Sequence, residues 1–318
     1  HLLQGVGGDL WVGTLESGIY YFPAPHTLYL KNTDEFIFSA ITKLADNTLL
    51  GSSTQGTVLS INQDLNFTSH SLLNEPTGVE HLSQIHLADN TTILAALNPL
   101  QIREKDRWNF PFDDDPFRVK ATNPRVQLRE IRPSLDGEML WGIKSSTGLI
   151  AIRPPLVGNQ FIETVQTIAP NKQITSILEQ KNWVWLGTRQ GLLKYNKNTQ
   201  EVTGVSDASI ASERIEDIES ISDTLIAVAT RGSGLFFLGP NSLEIWNNEN
   251  GLASNTISVL QKDGDILWLG SKNGLHRIVL SQGLSSAYLY TQKDGLASSE
   301  VLDIVIDQDF AWVLTKAG

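Results

Sequence analysis

Short apolar runs recur along the chain, and each is followed by the same pattern: a small residue, a polar turn containing Gly, then a second apolar run. DLWVGTLESGIYYF (9–22), NTLLGSSTQGTVLSI (47–61), EMLWGIKSSTGLIAI (138–152), NWVWLGTRQGLLKY (182–195), LIAVATRGSGLFFL (225–238) and DILWLGSKNGLHRI (265–278) share this plan. Paired runs rich in Val, Ile, Leu, Trp and Tyr around a short Gly turn predict hairpins. With the small residue as a ruler, marks fall at Gly13, Gly51, Ala95, Gly142, Gly187, Ala229, Gly270 and, in a degenerate copy, Leu314. The intervals run from 38 to 47 residues, about 43 on average. Four-stranded propeller blades repeat at roughly 40–50 residues, and the 3.6-residue periodicity of helical repeats is absent.

One unit resolves into four strands at 174–178, 183–187, 192–195 and 201–205. Polar turns at 180–182, 188–191 and 196–198 separate the first three and follow the third. The repeated Trp11, Trp141, Trp185, Trp268 and Trp312 are expected to pack between neighbouring blades, with the small residue beside them allowing close backbone approach. The expected architecture is therefore all-β: a β-propeller of four-stranded antiparallel blades, about seven of them, in a single domain over 1–318. The first unit has a clipped beginning, while 300–306 and 310–314 begin an eighth. Either that last segment pairs near the N-terminus and closes the ring, or the array continues.

Composition narrows the function classes. With 24 basic against 35 acidic residues, the net charge of -11 argues against nonspecific nucleic-acid binding or adhesion to an anionic membrane. No apolar stretch approaches the ~20 residues that span a bilayer. The start at His1, without Met or signal peptide, reads as a fragment of a longer protein. The absence of Cys excludes disulfides, thiolate nucleophiles and Cys-ligated zinc.

Two linkers carry a second repeated phrase, NENGLASNTISVL (248–260) and QKDGLASSEVLDI (292–304), with Gly251 and Gly295 one unit apart. Together with the LW-G-T/S-x-x-G-L phrase, these resemble the two-component regulator propeller repeats of bacterial sensors. The match covers almost the whole chain and is weakest at Ala95, where NPLQI replaces the Gly-Leu turn. The resemblance implies a periplasmic sensor region of a membrane-anchored regulator. In that family the propeller precedes an immunoglobulin-like module, a membrane helix, and a histidine kinase or diguanylate cyclase output domain. It further implies a noncatalytic role, with a small-molecule or oligosaccharide ligand and the chain's own downstream signalling domains as partners. A homodimer is the natural readout for such an output domain.

Catalytic and metal motifs are sparse. The spacing of His81 and His86 puts them on opposite faces of a strand, and no nucleophile elbow, phosphate loop or EF-hand spacing occurs. No cofactor or metal site is expected. Glu216 with Asp217, and Asp263 with Asp265, read as solvated acids at strand starts and turns; Asp113-Asp114-Asp115 reads as a hydrated turn more than a cation site. The segment DRWNFPFDDDPFR (106–118) interrupts the repeat, and its Arg107 and Trp108 are candidate ligand contacts on a long linker. A plug over a degenerate blade explains the same aromatics equally well.

The ruler brings out one further pattern. Two places after each mark stand Leu15, Ser53, Leu97, Lys144, Arg189, Arg231, Lys272 and Lys316, so the last five are all basic in an acidic chain. On loops between second and third strands they would form a positive arc at one mouth of the ring, suited to an anionic ligand or acidic partner. Lys144, Arg189, Arg231 and Lys272 are thus candidate binding residues; solubilising surface turns are the bland alternative. An interaction scaffold and a propeller lyase or glycosidase are the other functional readings.

Overall fold

The computed structural model describes residues 2–4, 10–13, 19–22, 38–43, 49–53, 57–61, 67–71, 81–86, 92–97, 101–104, 107–109, 128–144, 148–153, 163–306 and 310–317. The strands there form antiparallel sheets that follow the chain in order. The first holds β1 (Leu2–Gln4), β2 (Leu10–Gly13) and β3 (Ile19–Phe22). The second holds β4 (Phe38–Lys43), β5 (Leu49–Ser53), β6 (Thr57–Ile61) and β7 (Phe67–Ser71). The third holds β8 (His81–His86), β9 (Thr92–Leu97), β10 (Gln101–Glu104) and β11 (Arg107–Asn109).

The fourth holds β12 (Leu128–Pro133), β13 (Leu140–Lys144), β14 (Gly148–Arg153) and β15 (Glu163–Ile168). The fifth holds β16 (Ile174–Glu179), β17 (Trp183–Thr188), β18 (Gly191–Asn196) and β19 (Val202–Gly204), within a residue or two of the strands that the repeat predicts. The sixth holds β20 (Ile215–Ser220), β21 (Ile226–Thr230), β22 (Leu235–Leu238) and β23 (Leu243–Trp246). The seventh holds β24 (Ile257–Asp263), β25 (Ile266–Ser271), β26 (Gly274–Val279) and β27 (Tyr288–Tyr290). The eighth, among the described residues, pairs β28 (Val301–Ile306) with β29 (Ala311–Thr315).

These meandering four-stranded sheets are the blades of an all-β propeller. First strands lie against first strands: β4 on β8, β8 on β12, β16 on β20, β20 on β24 and β24 on β28. At the remaining junction β13 packs on β16, and β28 packs back on β4. The Ile41 backbone N–H donates to Asp303 Oδ2 across that last junction at 3.0 Å.

Apolar faces between blades supply the cohesion. Trp141 joins Ile143, Leu149 and Ala151 of its own blade to Ile174, Ile177 and Leu186 of the next. Trp185 packs likewise on Ile215, Ile218, Val228 and Phe236, and Trp268 on Val301, Ile304 and Val313. Ala227 holds the equivalent position in the sixth sheet, where Phe237 and Trp246 fill the space edge to face at 4.5 Å. Two places after Trp185 and Trp268 the glycine lets the next blade approach closely: a Cβ on Gly187 would lie 2.7 Å from Ile215 Cγ2, and one on Gly270 would lie 2.7 Å from Val301 Cγ1.

Candidate functional site

Four of the five basic residues occupy one repeated place. The backbone N–H of Arg189 donates to the Gln173 carbonyl, Arg231 to Arg214, Lys272 to Thr256 and Lys316 to Glu300. In every case the acceptor belongs to the residue immediately before the blade's first strand, so all four turns are anchored alike. All four residues are exposed. The turns also touch the following blade, since Gly191 N–H donates to the Glu213 carbonyl and Thr256 Oγ1 to the Arg231 carbonyl. The turns of Arg189 and Arg231 thus lie at blade junctions.

Their partners differ. Glu216 Oε1 takes Arg214 Nε at 2.8 Å and Arg231 Nε at 3.7 Å, while Lys316 Nζ lies 3.0 Å from Glu300 Oε2. Among the described residues Arg189 and Lys272 have no carboxylate in ion-pair range, so they offer the most available charge to an incoming anion.

Lys144 does not belong to this row. It ends β13 opposite Gly148, the place that Thr188 holds opposite Gly191 and Ser271 opposite Gly274. The residue in register with Arg189 is number 145, outside the described residues. In the fourth unit the glycine follows Trp141 directly, whereas Trp185 and Trp268 are separated from theirs by one residue. Counting from Gly142 therefore shifts the register by one.

Arg107 and Trp108 also lie elsewhere. They pair with Glu104 and Arg103 as the last strand of the third sheet, so this part of the repeat's interruption is a blade edge and not a loop at the mouth. Asp113, Asp114 and Asp115 fall outside the described residues. The backbone places His81 and His86 at opposite ends of β8.

A second cluster, which the sequence does not announce, lines the channel. Each first strand from β12 to β28 carries a bulge just after its start, and β4 has the same irregularity. After the bulge, Glu130, Ser176, Asp217, Val259 and Asp303 share one register position, and Arg132 matches Glu219 two places on. Asp217 Oδ1 accepts its neighbour Ile218 N–H at 2.8 Å, and Oδ2 accepts Leu260 N–H of the next blade at 2.8 Å. Asp303 repeats the contact with Ile304 N–H at 2.9 Å and Ile41 N–H at 3.0 Å. Asp217, read from sequence as solvated, and Asp303 are straps between blades, each standing just after a bulge.

Arg132 is ion-paired with Glu130 and lies within electrostatic reach of Asp217, Glu219 and Asp303. The group is enclosed by blades yet still wet, since the Arg132 side chain is 45% exposed. Enclosure raises Asp217 to about 7 against the pull of Arg132, raises Asp303 to about 6, and also raises Glu219. The Arg132 guanidinium is held above its ordinary value by Glu130 first. Among the described residues no group of three or more His, Asp or Glu is placed to hold a metal ion.

Two buried polar groups have structural explanations. His276, 2% exposed, accepts Ala253 N–H at Nε2 and pins the 251–254 linker; burial lowers it to about 4. Trp268 Nε1 has no partner among the described residues, because Ile306 stands where Glu179 receives Trp141 Nε1 at 2.7 Å.

No family model matches the chain, and no curated protein does. Solved structures do. The extracellular domain of the predicted hybrid two component system BT3049 from B. thetaiotaomicron aligns with TM-score 0.74 at 14% identity, covering 98% of this chain and 43% of that one. The corresponding domain of BT4673 from the same organism aligns with TM-score 0.52 at 18% identity, covering 99% and 49%. Virginiamycin B lyase from Staphylococcus aureus aligns with TM-score 0.53 at 12% identity, covering 85% and 90%. The chain thus spans just under half the length of the two sensor domains. Its fold is the propeller found in those extracellular domains, and no helix among the described residues is long and apolar enough to cross a membrane.

Proposed function

We propose that this chain is a noncatalytic, periplasmic sensor propeller that binds an anionic or carbohydrate ligand at the mouth carrying Arg189, Arg231, Lys272 and Lys316. Binding there controls an attached membrane-anchored output domain, a histidine kinase or a diguanylate cyclase, with dimerisation as the readout. The observation that carries the reading is the identical anchoring of four exposed cations on successive blades. Blades pack about 10 Å apart, so the row presents charge at regular intervals to a ligand that crosses junctions. A ligand that bridges two blades prefers one blade arrangement over another, which is the requirement for signalling. Lys144, Arg107 and Trp108 are set aside as contacts of this mouth, given their places in the blades. The ring in this reading has seven blades, from the sheet of β4 to the sheet of β28, within one propeller domain. Thermal-shift screening against sugar acids, acidic oligosaccharides and small anions tests it: a saturable rise with an anionic compound supports the site.

A second reading, a propeller lyase or glycosidase, draws on the channel carboxylates and on the likeness to virginiamycin B lyase. It requires substrate turnover that Asp217→Asn abolishes.

A further inference from the structure

Three positions recur at the mouth end of the last four sheets: the residue before the first strand, the residue that its bulge leaves unpaired, and the cation on the turn after the second strand. In the fifth sheet they are Gln173, Thr175 and Arg189, and in the seventh Thr256, Ser258 and Lys272, with one positive charge in each. In the eighth they are Glu300, Leu302 and Lys316, where Glu300 Oε2 lies 3.0 Å from Lys316 Nζ and the charges cancel. The sixth has Arg214, Glu216 and Arg231, so two guanidiniums share a single carboxylate.

The two arginines are fixed side by side, because the Arg231 backbone N–H donates to the Arg214 carbonyl at 3.0 Å. Glu216 Oε1 lies 2.8 Å from Arg214 Nε and 3.7 Å from Arg231 Nε, and Arg214 Nη2 donates to Oε2 at 3.5 Å. Glu216, which the sequence presents as a solvated acid, is 16% exposed in its side chain, against 28% for Arg214 and 58% for Arg231. The carboxylate is therefore the floor of the group and the Arg231 guanidinium its outer edge. With Nε on the side of Glu216, the two Nη groups of Arg231 are the donors left for a ligand.

We propose that Glu216 is a specificity residue of this mouth, a role that rests on the anion-binding reading above: it admits a singly charged ligand such as a carboxylate and rejects a doubly charged one such as a phosphate monoester. Two guanidiniums alone would match a dianion. The half-buried acid cancels one of them, so a monoanion neutralises the group, whereas a dianion keeps an uncancelled charge beside a carboxylate of the same sign. Repulsion from Glu216 scales with the charge of the ligand and falls twice as heavily on a dianion. Specificity of this kind is set by the repulsive element as much as by the attractive one. The row agrees: with Glu216 ionised, the fifth, sixth and seventh sheets each present one net positive charge at these positions.

The test is isothermal titration near pH 8 and ~0.15 M salt with galacturonate, a monoanion, and galactose 6-phosphate, a dianion there because its second ionisation lies at about 6. The unaltered protein should bind galacturonate the more tightly. In Glu216→Gln, which keeps the length of the side chain and an acceptor for Arg214, the ratio of the two affinities should move towards the phosphate by about fivefold or more. Loosened arginines would weaken both ligands together and leave that ratio alone, so a merely structural role does not mimic the result. Glu213→Gln removes the same charge beside Arg214 but outside its ion pairs, and should hold the ratio within about twofold of the parent's. A parent that binds the phosphate as tightly as galacturonate, an unchanged ratio in Glu216→Gln, or an equal shift in Glu213→Gln overturns the role of Glu216 while the anion-binding mouth stands. No binding of either compound by any of the three proteins overturns the mouth itself, and this role of Glu216 with it.

Discussion

Trp141 Nε1 donates to Glu179 Oε2 at 2.7 Å, tying the second strand of one blade to the first strand of the next. The same oxygen accepts the Leu135 N–H at 3.0 Å, and Lys197 Nζ lies 2.6 Å from the other. Glu179 is 8% exposed in its side chain, so its charge is held by these contacts rather than by water. Replacing it with Ala strands a buried indole N–H and removes the partner of Lys197, at a cost of about 2–4 kcal/mol in denaturant unfolding. Glu179→Gln keeps an acceptor for Trp141 and should lose distinctly less. Equal losses in the two variants would show that the charge, not the indole bond, matters.

The turn that carries Arg189 depends on Gly191. Its φ is +91°, and a Cβ there would meet the Ala211 carbonyl oxygen at 2.3 Å. Gly191→Ala should therefore cost about 2 kcal/mol or more, because neither the backbone angle nor the neighbouring blade can give way. At Gly232, in the next basic turn, a Cβ would meet nothing within 4 Å, so Gly232→Ala is the neutral control. Calorimetric melting of the pair reads the contrast.

His276 gives the fold a pH response of its own. Its folded value of about 4 lies below that of a free imidazole, so its contribution is whole above about 6.5 and is lost as pH falls towards 4. The full loss is on the order of 3 kcal/mol. His276→Gln keeps an acceptor for Ala253 N–H and cannot be charged, so its stability should fall less between pH 6.5 and pH 4 than that of the parent. Parallel profiles for the two proteins would refute a titrating His276.

Much of this fold is legible in the sequence, and the failures are physical. Strands of the fifth sheet fall where hydrophobic runs and turns put them, since burial on both blade faces leaves continuous apolar runs. The register fails in the fourth unit when glycine serves as the mark. Trp is the better one: it must reach the next blade, and counting two places from Trp141 gives Ile143, the true counterpart of Gly187. The channel acids are hidden for another reason. A bulge after the first residue of the strand breaks the alternation that assigns faces, so Asp217 looks like a surface acid beside Glu216. The placement of Arg107 and Trp108 is obscured by the unusual composition around them, which disguises a short edge strand.

The central claim is that the mouth bearing Arg189 and Arg231 takes an anionic ligand. Isothermal titration with glucuronate, galacturonate, acidic oligosaccharides of these sugars, phosphate and sulfate, run on the parent protein and on Arg189→Glu/Arg231→Glu, tests it most directly. The expected result is saturable binding of at least one of these compounds by the parent, weakened tenfold or more in a double variant whose circular dichroism is unchanged. Binding of the same affinity in both proteins, or no binding of any of these anions by the parent, would contradict it.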